Sequence, residues 1–150
     1  MSTLIVGLMT VAALNGLGAA TRSSQSAGNR GIALGLADEL MAEILATDYS
    51  DPDGSPVFGL ESGETAPRAN FDDIDDFNGW NQMPPQAADG TTIPDREEWR
   101  HRVTVQRVAA ADLDQALGGS TDQGVKRIQV SIEYQDTVLA EQIAICTDTE

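Results

Sequence analysis

The chain has 150 residues and a formal net charge of −15, with 24 acidic residues against nine lysines and arginines. This length suits one modest domain plus an extra element, and two full domains are not expected. So acidic a chain excludes a basic patch for nucleic acid, because its surface would repel phosphates. Cys146 is the only cysteine, which excludes an internal disulfide and a multi-cysteine zinc site.

The N-terminal segment is uncharged. Residues 2–21 carry no charged side chain, and no acidic residue occurs before Asp38. Twenty helical residues span about 30 Å, which matches the core of a bilayer. We therefore predict that residues 1–21 form a transmembrane helix, whose many small residues would also allow close packing against other helices.

Two other interpretations of this segment stay open. A secretory signal could be cleaved before Thr21, since Gly18 and Ala20 are small residues at suitable positions, although no basic residue precedes the apolar run. A buried core helix is the third possibility. The transmembrane and the secretory-signal interpretations both place the rest of the chain outside the cytoplasm.

Residues 22–47 are predicted to be the amphipathic second half of the N-terminal helix. The polar run 22–31 could be a loop or a loosened part of that helix. From residue 32 onward, apolar residues recur at helical spacing, and the turn signals Asp51-Pro52 place the helix end near Asp48. The apolar stripe is typical of packing against a sheet and contains Ala33, Leu36, Leu40 and Ile44, flanked by Ala37 and Met41.

Residues 48–98 are predicted to be an irregular connection. They hold all six prolines and 13 acidic residues against only Arg68 and Arg96. Connections of this length are usually functional or partly disordered. We expect this one to pack onto the domain through aromatic anchors, namely Tyr49, Phe58, Phe71, Phe77 and Trp80.

Residues 99–150 are predicted to form an antiparallel β-sheet head. Residues 101–108, 127–135 and 137–146 alternate between apolar and polar side chains, and only Gln135-Asp136 separates the last two segments. One helical turn is possible in the gap after the first strand. The expected fold class is therefore α+β, with a long N-terminal helix packed on a small antiparallel sheet.

The chain offers no recognisable catalytic constellation. His101 is the only histidine and stands between two arginines, so we interpret it as a surface residue at a strand edge. Cys146 is interpreted as a small strand residue, and Ser23, Ser24 and Ser26 lack the context of a nucleophile. We assign no catalytic, cofactor-binding or metal-binding residue and do not expect an enzyme.

The run FDDIDDFNGW at 71–80 is the one cluster of possible metal ligands. Hard oxygen ligands such as these suit Ca²⁺, and Asn78-Gly79 would allow a tight turn. The spacing does not fit an EF-hand. A solvated acidic turn pinned by aromatic residues is the competing interpretation, so calcium stays only a possible cofactor; the acids concerned are Asp72, Asp73, Asp75 and Asp76.

Three segments together resemble the type IV pilin and type II secretion pseudopilin superfamily. They are STLIVGLMTVAALN at 2–15, GLADELMAEILATDYSDP at 35–52 and FDDIDDFNGW at 71–80. The last segment is similar to an acidic-aromatic motif of minor pilins of the mannose-sensitive haemagglutinin and pilus-modification types. The resemblance covers roughly the first half of the chain and implies a pilin-like fold.

The processing signature of that superfamily is missing. Thr3-Leu4-Ile5 is similar to part of it, but Val6 stands where the family has a glutamate, and the basic leader is absent. Ser2 onward resembles the helix just after the signature, so we expect the true start to lie upstream of Met1. Prepilin-type N-terminal methylation is therefore implied by the family but is assigned to no residue here.

The resemblance implies a structural subunit with no catalytic role. The N-terminal helix would sit in the inner membrane as a single pass, with the C-terminal domain in the periplasm. In a pilus or pseudopilus, the same helix would pack against other pilin or pseudopilin subunits. The alternative is a secreted or periplasmic acidic domain that binds a ligand or calcium after cleavage of its signal segment.

Overall fold

The computed structural model describes residues 2–52, 54, 57–61, 68–118 and 121–148, and the side chains of residues 2–14 and 16 lie outside its described part. Within these ranges one α-helix precedes five β-strands, which is the α+β class that the sequence predicts. The helix α1 is Ser2–Ile44, and the strands are β1 Asn81–Gln82, β2 Trp99–Ala109, β3 Asp112–Ala116, β4 Val125–Tyr134 and β5 Thr137–Thr147.

The chain divides into two compact units, Met1–Ile32 and Ala33–Glu150, and α1 contributes residues to both. The first unit is helical from Ser2 onward, so the polar run 22–31 belongs to the helix and is not a loop. Every described side chain of this unit is exposed or half-buried, and Leu17 is 66% exposed. The first unit therefore has no buried core of its own among its described side chains.

In the second unit, the end of α1 supplies one side of the core. The predicted apolar stripe is confirmed, because its six members are buried while Asp38, Glu39 and Leu34 on the other sides of the helix are exposed. The Gln142 amide on β5 donates a hydrogen bond to Asp38, which fastens the helix to the sheet. The buried stripe is Ala33, Leu36, Ala37, Leu40, Met41 and Ile44.

The helix ends at Ile44, three residues before the predicted end at residue 47. The Leu45 N–H still bonds four residues back to the Met41 carbonyl, but the N–H groups of Ala46 and Thr47 bond only three residues back, to Glu43 and Ile44. This tighter pattern closes the last turn. The Thr47 hydroxyl also donates to the Ile44 carbonyl at 2.8 Å and satisfies one of the free acceptors at the helix end.

The sheet is antiparallel, with the strand order β1-β2-β4-β5 and with β3 paired to the end of β2. The predicted hairpin is confirmed: Gln135 and Asp136 join β4 to β5 with φ values of 49° and 58°. Positive φ at both turn residues matches the right-handed twist of the strands. The face toward α1 is apolar and includes Val103, Val105, Ile128, Val130 and Ile132, all essentially buried.

The helical turn considered after the first strand is wrong, because this region forms strand β3. All five residues of β3 are exposed, so no apolar alternation marks the strand in the sequence. It pairs with β2 across an irregularity between Val108 and Ala109. Backbone pairing and contacts from Arg127 to Asp114 and to the Leu113 carbonyl hold it, and an apolar residue pattern cannot reveal that kind of strand.

Candidate functional site

The acidic-aromatic segment 71–80 lies beside the end of α1. The Ile74 N–H donates to the Asp48 carbonyl at 3.0 Å, and Asp48 forms an isolated parallel bridge with Asp73. The rings of Phe71 and Phe77 meet edge to face at 5.1 Å. The backbone contacts hold the segment against the domain, and Phe77 is 1% exposed, as predicted for an aromatic anchor.

The interpretation of this segment as a solvated acidic turn is wrong, because three of its aspartates are buried. Asp73, Asp75 and Asp76 are each at most 4% exposed. Asp73 Oδ1 accepts the backbone N–H groups of Asp75 at 2.7 Å and Asp76 at 3.1 Å. Asp76 Oδ2 in turn accepts the backbone N–H of Asp72 at 3.0 Å. The carboxylates therefore serve as acceptors for a tight turn of backbone, which makes their burial tolerable.

Asp73 holds its proton unusually strongly. Burial raises its pKa to about 7, and the nearby carboxylates of Asp75 and Asp76 act in the same direction. A carboxyl group in this environment is about half protonated at neutral pH. It can therefore act as a proton donor inside the domain.

Lys126 is the base that meets this acidic cluster. It is 1% exposed, and its Nζ contacts Asp75 Oδ1 and the Tyr49 carbonyl. The Tyr49 ring lies 4.1 Å from Nζ, in a cation–π contact. Strand pairing sets Lys126 between Arg107 on β2 and Cys146 on β5, with its side chain on the buried face.

Arg107 extends the cluster toward solvent. Its Nη2 lies 3.6 Å from Asp75 Oδ2, and its Nε lies 3.2 Å from Asp122 Oδ2. The guanidinium also sits 4.6 Å from the centre of the Phe58 ring. Asp122 accepts the Tyr49 hydroxyl at 2.9 Å, which closes the network. Both oxygens of Asp75 thus face cationic groups.

The contacts of Asp73 and Asp75 also affect whether this acidic cluster could bind Ca²⁺. Asp75 faces Lys126 and Arg107, and one Asp73 oxygen already accepts two N–H groups. Cations beside a carboxylate repel a metal ion and compete for its oxygens. Among the residues that the structure describes, no group of three or more His, Cys, Asp or Glu has a geometry that could hold a metal ion.

A second buried ion pair joins the connection to α1. Arg68 is 4% exposed; its Nη2 donates to Glu43 Oε2 at 2.9 Å, and its Nε lies 2.8 Å from Glu43 Oε1. Its guanidinium stacks 4.7 Å from the Trp80 ring. Burial raises the pKa of Glu43, and the charge of Arg68 opposes that shift. This pair was not identified from the sequence, because its partners are 25 residues apart.

His101 is buried, so its interpretation as a surface residue is wrong. It is 2% exposed, and its ring lies 5.6 Å from the Trp80 ring. Neither ring nitrogen has a hydrogen-bond partner among the described residues. Burial lowers its pKa to about 4, with the Arg68 charge acting in the same direction. A small cavity beside it is lined by α1, Arg68 and the segment around Gln86.

Cys146 lies in β5 and is half-buried, as predicted for a strand residue. Burial raises the pKa of its thiol.

A depression of about 310 Å³ opens elsewhere along β2, and Arg107 is the one charged residue among its described lining. The other described lining residues are Phe58, Asn78, Thr104, Val105, Gln106, Ala116 and Leu117.

Across the part of the chain that the structure describes, no helix has both the length and the apolar character needed to cross a membrane. The side chains of residues 2–14, on which the prediction of a transmembrane helix depends, lie outside that part.

The chain gives no match to protein-family models, to curated proteins or to solved structures. Its function is therefore inferred from the residues and contacts described above.

Proposed function

We propose that this chain is a structural subunit of a type IV pilus or type II secretion filament, similar to a minor pilin or pseudopilin. The proposal rests on one observation: the two parts of α1 belong to different compact units. Residues 33–44 form one side of the core of an α+β head, whereas the preceding residues belong to a separate unit. A long N-terminal helix of this kind is the architecture that the pilin resemblance implies.

The first unit begins with an uncharged stretch of helix. Residues 2–21 contain no charged side chain, and Leu17 exposes 66% of its surface. Water is a poor environment for a continuous uncharged helix surface, while lipid and neighbouring helices are good ones. The same segment can therefore be held in the inner membrane before assembly and in a filament core after it.

The second unit, which forms the head, carries the negative charge that residues 2–21 lack. All 24 acidic residues follow residue 37, so the second unit carries the whole negative charge. Its apolar helix stripe is already covered by its own sheet, which leaves the acidic surface for solvent. In this proposal the C-terminal domain lies in the periplasm and stays hydrated while the uncharged helix changes its neighbours.

Cell fractionation tests the proposal. The full chain, produced in a bacterium with two membranes, is expected to sediment with the inner membrane and to retain residues 2–21 by N-terminal sequencing. Leu17→Asp should lower the membrane-bound fraction by roughly tenfold, because a carboxylate in an apolar helix opposes insertion. Leu34→Asp is the matched control: Leu34 is 50% exposed on the same helix, in the second unit, and should leave the fraction unchanged.

The alternative function gives the opposite result. A secreted domain that binds a ligand or calcium would be found in the soluble periplasmic fraction with Thr21 as its first residue. Leu17→Asp and Leu34→Asp would then behave alike, since residue 17 would be absent from the mature protein. That outcome would refute the filament-subunit proposal.

A further inference from the structure

The chain contains a single lysine among its nine bases, and that lysine is the base most deeply buried against a carboxylate. Lys126 is 1% exposed and contacts Asp75 Oδ1, while the other eight bases are arginines. For a purely electrostatic pair, arginine is the usual choice in a protein interior, because its charge is more weakly hydrated and it binds carboxylates with two donors. Lysine differs in that its amine can become a nucleophile when buried.

We propose that Lys126 and Asp75 are joined by an intramolecular amide bond that forms after the chain folds. A proton first passes from the Lys126 Nζ to the contacting Asp75 Oδ1, which frees the lone pair of the nitrogen. The neutral Nζ then attacks Asp75 Cγ, a C–N bond forms, and the bond from Cγ to Oδ1 breaks. Two of the three ammonium protons leave with Oδ1 as one water molecule, and the third remains as the amide N–H. No oxidant, metal or cofactor is needed, and the inference is independent of the proposed function.

The surroundings of the pair fit this reaction. The Tyr49 carbonyl accepts a hydrogen bond from Nζ, which orients the nitrogen and remains available to the amide N–H of the product. Arg107 Nη2 lies 3.6 Å from Asp75 Oδ2, the oxygen on which negative charge develops during attack. A fixed cation at that position stabilises the tetrahedral intermediate.

A partly protonated carboxyl group lies in the same tight turn as Asp75. Asp73 Oδ1 accepts the backbone N–H of Asp75 at 2.7 Å, so the two residues are held in one tight turn. Because burial raises the pKa of Asp73 to about 7, its carboxyl group is partly protonated at neutral pH and adds less negative charge beside Asp75 than a full carboxylate would.

Burial favours the product. Asp73 and Asp75 are 4% and 3% exposed. A neutral amide replaces two opposite charges in this interior, which removes their desolvation cost. The low exposure also keeps out the water that would hydrolyse the bond. The product would tie the turn at residue 75 to the start of β4, across 51 residues of sequence.

Intact-mass spectrometry of the purified full chain tests the proposal. We expect a mass lower than the sequence mass by one water molecule. After trypsin, residues 69–96 should appear joined to residues 108–127, because a modified Lys126 is not cleaved. Lys126→Arg keeps the charge but cannot form the amide, and should show its full sequence mass.

A second variant identifies the carboxylate. Asp75→Asn can form the same amide with loss of ammonia, so its mass deficit should change from that of water to that of ammonia. The wild-type mass and its tryptic peptides together decide between the amide and an ion pair. A full sequence mass, with residues 69–96 and 108–126 released as separate peptides, would overturn the proposal and leave an ordinary buried ion pair.

Discussion

His101 is a residue whose burial has a thermodynamic consequence. Its ring lies inside the second unit with neither nitrogen bonded to another described residue, close to the positive charge of Arg68. From α1, the carboxylates of Glu39 and Glu43 also line the adjoining cavity. Charging the imidazole there is costly, so the folded protein holds it neutral.

This predicts a pH-dependent loss of stability that one substitution removes. The pKa of His101 falls from 6.5 to about 4 on folding, so the unfolded chain binds the proton more readily. The contribution of neutral His101 is complete above pH 6.5 and is lost as the pH falls toward 4. Between pH 7 and pH 4, the free energy of unfolding of the wild type, measured with denaturant, should fall by about 3 kcal/mol more than that of His101→Leu.

Leucine is suitable as the replacement because it is apolar and similar in size, and all other titrating groups are common to both proteins. Equal losses in the two proteins across this pH range would show that His101 is not held neutral by the fold.

Period-two spacing could have placed His101 correctly. It has the same parity on β2 as Val103 and Val105, so a strand over these residues puts all three on one face. Its two arginine neighbours in the sequence instead suggested a surface position. The burial of Asp75 could not have been found this way, because its partners Arg107 and Lys126 lie 32 and 51 residues further along the chain and sequence spacing does not report such contacts.

At the scale of elements, α1 and the sheet follow from periodicity. The apolar positions 33, 36, 37, 40, 41 and 44 are buried together, and the alternation over β4 buries Ile128, Val130 and Ile132. Burying apolar side chains on one face stabilises the fold, so their regular spacing is visible in the sequence. The fully exposed strand β3 and the two-residue strand β1 bury no repeating side chain and were missed for that reason.

A pair of leucines on α1 measures how much the helix stripe contributes. Leu40 is 2% exposed, whereas Leu34, six residues before it on the same helix, is 50% exposed. Leu40→Ala should lower the free energy of unfolding by about 2–5 kcal/mol, because it removes buried methyl groups and leaves a cavity. Leu34→Ala should change it by less than about 0.5 kcal/mol. Chemical denaturation followed by tryptophan fluorescence distinguishes them, and equal effects would mean that this face does not carry the packing.

On the scale of the whole molecule, charge and exposure are distributed unevenly. The uncharged residues 2–21 belong to a unit without a buried core among its described side chains, while the acidic unit has a complete core. The boundary at Ile32 was not evident from the sequence, because the helix runs through it without interruption. Under the proposed function, the uncharged helix would exchange lipid for neighbouring subunits while the acidic unit keeps its own core.

Cysteine cross-linking between copies tests this account most directly. In a Cys146→Ser background, which removes the only native thiol, Leu17→Cys places a thiol on the exposed helix and Leu34→Cys serves as the control on the same helix within the head unit. Mild oxidation of intact cells should yield covalent dimers of the Leu17→Cys protein in the membrane and filament fractions, and several-fold fewer with Leu34→Cys. A Leu17→Cys protein that stays monomeric, or a mature protein that begins at Thr21 in the soluble fraction, would contradict it.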